Sequence, residues 1–211
     1  MRKILISFLL LATISSGAEV TRPAARPVDG GATVVPMSRL AGACTEFMSA
    51  DGTFGSWGDA LMSAFERVGT DCIYQSDWSA ICPGFVNFSE TRKRQLMVFA
   101  FAAVADAEST CRPRAQAQGT TDLAVGLFQL ENSRRQRNAA DRHDLCSPDA
   151  AVSSPKEITF QMQCAAGTFY DYHCNRSDDR YVLVGRGGYW QKWRRSNRAI
   201  SVDISNFPGC T

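Results

Sequence analysis

Ala107-Glu108-Ser109-Thr110-Cys111 closes an apolar stretch, and Gly126-Leu127-Phe128-Gln129-Leu130 begins eighteen residues after the glutamate. Met97, Phe101, Val104 and Glu108 are spaced by four, three and four residues, so on a helix they share one face. That face is apolar until its last member, a carboxylate. Partial burial disfavours the charged form, and a helix C-terminus turns partial negative charge toward it. Both effects raise the carboxyl pKa, which suits Glu108 to hold and donate a proton near neutral pH. Asp106, the other acid there, falls roughly 160° away around the helix. The plainer expectation for Glu108 alone is a helix-end side chain pointing to water.

Working outward, Ser89 and Glu90 open this helix, which should run to about Glu108. An earlier helix opens at Ser56-Trp57-Gly58-Asp59 as a capping-box variant, carries Trp57, Leu61, Ala64, Phe65 and Val68 on one face, and stops at Gly69. A later one opens at Ser154-Pro155-Lys156-Glu157, a full capping box with proline at the first helical position. Its buried face would be Ile158, Met162, Ala165, Phe169 and Tyr172. Residues 119 to 130 mix turn residues with short apolar pieces and fit a small strand, a hairpin or an irregular loop. The expected class is α+β, mainly α: a helical domain with a minor β-element, stapled by disulfides.

Residues 1–18 read as a signal peptide: Arg2 and Lys3, an apolar run from Ile4 to Ile14, then the small-residue site Ser16-Gly17-Ala18. The run is shorter than the roughly 20 residues of a bilayer span. Residues 19–42, rich in Pro, Ala and Gly, read as a flexible leader, and 43–211 as one domain large enough to bury a core. The chain carries 23 basic and 21 acidic residues; without Arg2 and Lys3 the basic count falls to 21, so the mature part is near neutral. A global attraction to polyanions is thereby excluded. The Arg92-Lys93-Arg94 and Arg134-Arg135 clusters read as solvated faces.

Eight cysteines (44, 72, 82, 111, 146, 164, 174 and 210) in a chain with an export signal point to disulfides. Four bridges allow 105 connectivities. Cys72 with Cys82, flanking a short loop that bears Trp78, is the pairing expected from proximity. A zinc site competes poorly, because no Cys-x-x-Cys pair is present and His143 and His173 each lie near one cysteine only.

The Glu108-Ser109 pair followed by Gly126-Leu127-Phe128-Gln129 resembles the Glu-Ser … Gly-Leu-Met-Gln signature of lytic transglycosylases and goose-type lysozymes, with Phe128 in place of the commoner methionine. The resemblance extends over about Arg94 to Trp193, while Cys44 to Pro83 matches no pattern of that family. It implies a lysozyme-like fold and cleavage of the β-1,4 bond between N-acetylmuramic acid and N-acetylglucosamine in peptidoglycan. Glu108 would be the general acid, protonating the leaving oxygen. Gly126 would admit close backbone approach, Gln129 would offer its amide to sugar, and Phe128 would help line the cleft.

Beyond the segment, Glu131-Asn132-Ser133 replaces the proline and Thr-Ala continuation of transglycosylases. Goose-type lysozymes carry an aspartate where Glu131 stands, and Asp122 resembles a second acid in their turn. Two candidates therefore exist for a residue that activates water. This tilts the expectation slightly toward hydrolysis and away from transglycosylation, in which the muramic acid's own 6-hydroxyl closes on the anomeric carbon. Tyr189-Trp190-Gln191-Lys192-Trp193-Arg194-Arg195 resembles the late aromatic segment that closes the cleft in several muramidases, with Tyr181 and Tyr189 as sugar-binding candidates; burial of the tryptophans in the core is the competing expectation.

The expected protein is an exported, periplasmic or extracellular monomer. It needs no cofactor or metal, binds peptidoglycan glycan strands, and has no nucleic-acid partner and no stable membrane anchor. The alternative is a lysozyme-like domain that holds glycan or an envelope protein without cutting it.

Overall fold

Three helices, α1 (Ser56–Val68), α2 (Glu90–Ser109) and α3 (Ile158–His173), carry the architecture of the computed structural model, which describes residues 35–69, 78–119, 123–131, 157–173 and 204–210. A helix that is apolar on every side must sit inside other elements. That is the case for α2, where every residue from Leu96 to Ala105 is buried. Its start follows from the sequence: Ser89 stays extended and its hydroxyl accepts the Arg92 N–H at 3.2 Å. Its end is less usual, because Thr110 and Cys111 both adopt left-handed φ values of 55° and 51°. Through that turn the Thr110 and Cys111 amides reach back to the carbonyls of Asp106 and Ala105.

The helices meet through rings. Phe65 of α1, Phe101 of α2 and Phe169 of α3 form a closed triangle with centroids 5.2 to 5.7 Å apart. Such pairs add roughly 0.5–1.5 kcal/mol each beyond their buried area. α1 begins one residue earlier than its capping pattern implies. Gly55 is the N-cap, and the Ser56 hydroxyl instead donates to Glu46 Oε2 at 3.3 Å. The helix ends at Val68 before Gly69, as expected. On α3, Met162, Ala165 and Phe169 are buried and Ile158 is half-buried, while Tyr172 lies among side chains outside those described.

The stretch after α2 is a small antiparallel sheet. β1 (Gln116–Gln118) pairs with β2 (Leu123–Val125), and β2 with β3 (Leu130–Glu131), in the order β1-β2-β3. The register sets Gln116 opposite Val125, Val125 opposite Leu130 and Ala124 opposite Glu131. The described fold is therefore α+β, mainly helical, as the patterns implied.

One boundary differs from expectation. Val35, Met37 and Leu40, assigned by composition to the leader, are buried, with a short 3-10 turn at Met37–Arg39. Val35 N–H also bonds the Ala50 carbonyl at 2.7 Å. The apolar residues spaced through this stretch outweigh its glycines and prolines, so the packed domain starts at least eight residues before position 43. The disulfides differ too. Cys82 is joined to Cys210, 128 positions away, and not to Cys72; Cys44 is joined to Cys111. Cys164 is also disulfide-bonded.

The segment at 204–210 returns to the start of α2. Ile204 and Phe207 are buried, Phe207 stacks near Phe88 and Phe99, and Gly84 N–H donates to the Cys210 carbonyl at 3.3 Å. Arg92 donates to the Pro208 carbonyl at 3.0 Å and lies 4.4 Å over the Phe207 ring. With Lys93 over Phe85 and Arg94 bonded to Glu66 at 2.7 Å, each cation of the Arg92-Lys93-Arg94 cluster has a structural neighbour and is not simply solvated. Among the described residues no helix is long and apolar enough to cross a membrane.

Candidate functional site

Glu108 stands in the last turn of α2, half-buried, where the helix emerges from its apolar sheath. Seven residues earlier, and about 20° around the helix, Phe101 points along nearly the same direction. The Phe128 ring packs on Phe101 with centroids 5.8 Å apart. The turn that bears Phe128 therefore rests on the helix face that ends in Glu108, about 10 Å further along the axis by helical rise. The two separated sequence segments thus share one side of α2. Asp106 belongs elsewhere, as its angle implied: its carboxylate accepts the Ala41 N–H at 3.3 Å and lies beside the Cys44–Cys111 sulfurs.

Those three groups, Cys44, Asp106 and Cys111, are close enough to suggest metal ligands. Both sulfurs are consumed by their mutual disulfide, which removes the thiolates a soft metal requires.

Residues 126–129 form a tight turn between β2 and β3. Gly126 has φ +79° and its N–H donates to the Ala115 carbonyl at 2.9 Å. A Cβ at Gly126 would sit 2.5 Å from Gln161 Oε1. The close approach that this glycine permits is that of the Gln161 side chain. Phe128 is 1% exposed, and its ring, wedged between Phe47 and Phe101, anchors the turn from beneath.

Gln129 remains suited to a ligand. It is half-buried, with a left-handed φ of 47°, and its side-chain nitrogen donates to the Gly126 carbonyl at 2.8 Å and the Ala115 carbonyl at 3.4 Å. With both hydrogens engaged, what the amide offers outward is its oxygen, an acceptor. A non-glycine residue in this region costs on the order of 1 kcal/mol, which the two donated bonds offset.

Glu131 follows in β3, only 6% exposed, opposite Ala124 in the ladder. Asp122, Tyr181 and Tyr189 lie outside the described residues.

Sequence reasoning passed over Gln161. It lies in the first turn of α3 at 4% exposure, accepting the Leu127 N–H at 2.7 Å and donating to the Pro113 carbonyl at 2.9 Å. Ser109 was quoted but given no role. Its hydroxyl donates to the Ala105 carbonyl at 2.9 Å and accepts the Arg112 N–H at 3.2 Å, while Arg112 Nε donates to the Ser109 carbonyl at 3.0 Å. These bonds fasten the chain beyond Glu108 to the helix end. Ser109 was findable from its helix-end position; an isolated glutamine in an apolar helix gives no such signal.

No protein-family model matches this chain, and no curated protein matches it significantly. Solved structures do. Bd0314 DslA, a Bdellovibrio protein, is similar in its wild-type form at 14% identity and in two glutamate-to-glutamine mutants at 15% and 16%. Each has a TM-score of 0.59 and covers 74% of this chain and 91% of that one. At such identity the likeness is one of fold.

Proposed function

We propose that this protein is a muramidase that cleaves the β-1,4 bond between N-acetylmuramic acid and N-acetylglucosamine in peptidoglycan, with Glu108 as general acid. The observation that carries the reading is the position of Glu108. It is a half-buried carboxyl at the end of an otherwise buried helix, on the face against which the Gly126–Gln129 turn is packed. A proton donor for a glycosidic oxygen needs limited solvation together with access to one side, and this position supplies both.

Gln129 Oε1 would accept a hydrogen bond from a sugar hydroxyl or amide N–H. Glu131 is the described carboxyl adjoining the turn and the candidate for activating water, which favours hydrolysis; an inverting hydrolase would hold the two carboxyls roughly 6.5–9.5 Å apart. The disulfides suit an oxidising compartment, periplasmic or extracellular.

The test is mass spectrometry of muropeptides released from purified peptidoglycan by the wild type and by Glu108→Gln. Release by the wild type and loss of roughly 10²–10⁴ in rate in the folded variant is the expected result for an acid–base group. Reducing-end muramic acid would identify water as nucleophile, and the 1,6-anhydro form would identify transglycosylation. Undiminished turnover by Glu108→Gln would remove Glu108 from the mechanism. Saturable binding of peptidoglycan with no soluble product from the wild type would replace the enzyme by a glycan-binding protein.

A further inference from the structure

Gln161 is a buried polar side chain from a third element that hydrogen-bonds to both segments flanking the candidate site. One amide spans two backbones: Oε1 takes the Leu127 N–H of the β2–β3 turn, and Nε2 gives to the Pro113 carbonyl in the segment that leaves α2. Pro113 in turn follows Arg112, which is bonded twice to Ser109, the neighbour of Glu108. From the other side, the Ala115 carbonyl receives both the Gly126 N–H and the Gln129 amide. A closed circuit of hydrogen bonds and peptide links therefore runs Arg112, Pro113, Gln161, Leu127, Gly126, Ala115 and, by the Ala115 N–H to the Arg112 carbonyl at 3.0 Å, back to Arg112, where Ser109 is tied on; the amide of Gln161 is its crossing to α3.

We infer that Gln161 is the positioning residue that sets the Gly126–Gln129 turn relative to the helix end bearing Glu108. The inference rests on the proposed muramidase reading for its catalytic consequence, and on hydrogen bonding alone for its structural one. Both functions of the amide are needed. An acceptor alone leaves the Pro113 carbonyl unmet, a donor alone leaves the Leu127 N–H unmet, and an apolar side chain leaves both. Gly126 matches this arrangement, because the space its missing Cβ leaves is the space the Gln161 amide fills.

The discriminating variant is Gln161→Glu. An ionised carboxylate still accepts the Leu127 N–H but sets a negative oxygen against the Pro113 carbonyl; protonated, it restores the donor. The variant should thus be impaired at about pH 8 and regain wild-type-like behaviour toward about pH 4, as a glutamate whose ionised form is disfavoured titrates. Gln161→Leu should be impaired at every pH.

Two readouts are taken with unfolding curves at each pH. The first is kcat and KM on soluble glycan oligomers. Misplacing a catalytic constellation by about 1 Å costs up to roughly a hundredfold, so at least a tenfold fall in kcat is expected for Gln161→Leu. For Gln161→Glu the ratio to wild type should change with pH. The second is hydrogen exchange of the Leu127 amide, which should accelerate at least tenfold in Gln161→Leu while core amides of α2 keep their protection.

A Gln161→Glu ratio that stays flat with pH, or follows global stability, overturns the inference, as does wild-type kcat in both variants. If the wild type itself releases nothing, the muramidase reading falls. Gln161 as the setter of the turn is then decided by Leu127 exchange, where acceleration upholds it and unchanged exchange ends it.

Discussion

Gly126→Ala is the sharpest perturbation the structure offers, because two separate costs can be worked out and then separated. The backbone there has φ +79°, which an L-residue occupies at about 1–2 kcal/mol. The new Cβ would also lie 2.5 Å from Gln161 Oε1 and 2.7 Å from its Cδ, inside any real contact. Gln161 is 4% exposed and held by both amide atoms, so moving it away strains or breaks its bonds to Leu127 and Pro113. An orphaned buried backbone N–H costs about 1–3 kcal/mol. Together the substitution should remove about 2–5 kcal/mol, a large share of the roughly 5–15 kcal/mol by which a domain is stable. Urea unfolding of wild type, Gly126→Ala, Gln161→Ala and the double variant reads this directly. In the double variant the collision is gone, and what remains is the dihedral cost of Gly126→Ala added to the cost of losing Gln161 itself, so the two effects should fall short of additivity by about 2 kcal/mol. A Gly126→Ala loss below about 1 kcal/mol would refute the reasoning, given those dihedral and steric magnitudes. Additivity would show that the close approach of Gln161 is not what the glycine serves.

Three further outcomes follow from the packing. Phe128→Ala empties the space between Phe47 and Phe101 and should cost about 3–5 kcal/mol by thermal or chemical unfolding; a loss under about 1 kcal/mol would mean the ring is not in the core. Replacing Cys82 and Cys210 by alanine opens a loop of 128 residues, and by chain entropy should lower stability by up to about 5 kcal/mol, seen as a drop in Tm that vanishes when both proteins are reduced. Asp51 is held below its ordinary value of 3.8, first by the Ser49 hydroxyl and then by the Thr53 backbone N–H. A depressed carboxyl pKa gives stabilisation that is present above the unfolded value and lost as pH falls through the folded one. An NMR titration of the Asp51 carboxyl should therefore find its midpoint below 3.8, with the Thr53 amide shift following it; a midpoint at or above 3.8 would contradict the Ser49–Asp51–Thr53 turn.

What could be read in advance was what local chemistry dictates. Ser89 followed by a long apolar run leaves little but a helix, and α2 runs within one residue of its expected end. Gly69 stops α1 because few other residues reach φ +100°. The packing of the Phe128 turn against α2 agrees with the closeness of helix and hairpin in sequence. Long-range facts were not. Cys82 finds Cys210 across 128 positions, and proximity in sequence pointed to Cys72. The packing of Val35, Met37 and Leu40 depends on partners that composition does not display. The burial of Phe128 was not legible, because a motif position says nothing about which way a ring faces. Gln161 stayed hidden because its significance lies in two backbone atoms from distant segments.

The two described disulfides interleave: Cys44 pairs with Cys111, and Cys82, inside that span, pairs with Cys210 outside it. As a graph, the chain from Cys44 to Cys210 is connected by more than one route at every point. No single backbone cut between those residues can release a fragment, since at least one bridge always spans the cut. Glu108, Gln129, Glu131 and Gln161 all lie within this doubly tied stretch. A protease that nicks one surface loop would leave the candidate site covalently whole, and only a second cut or a reductant would take it apart.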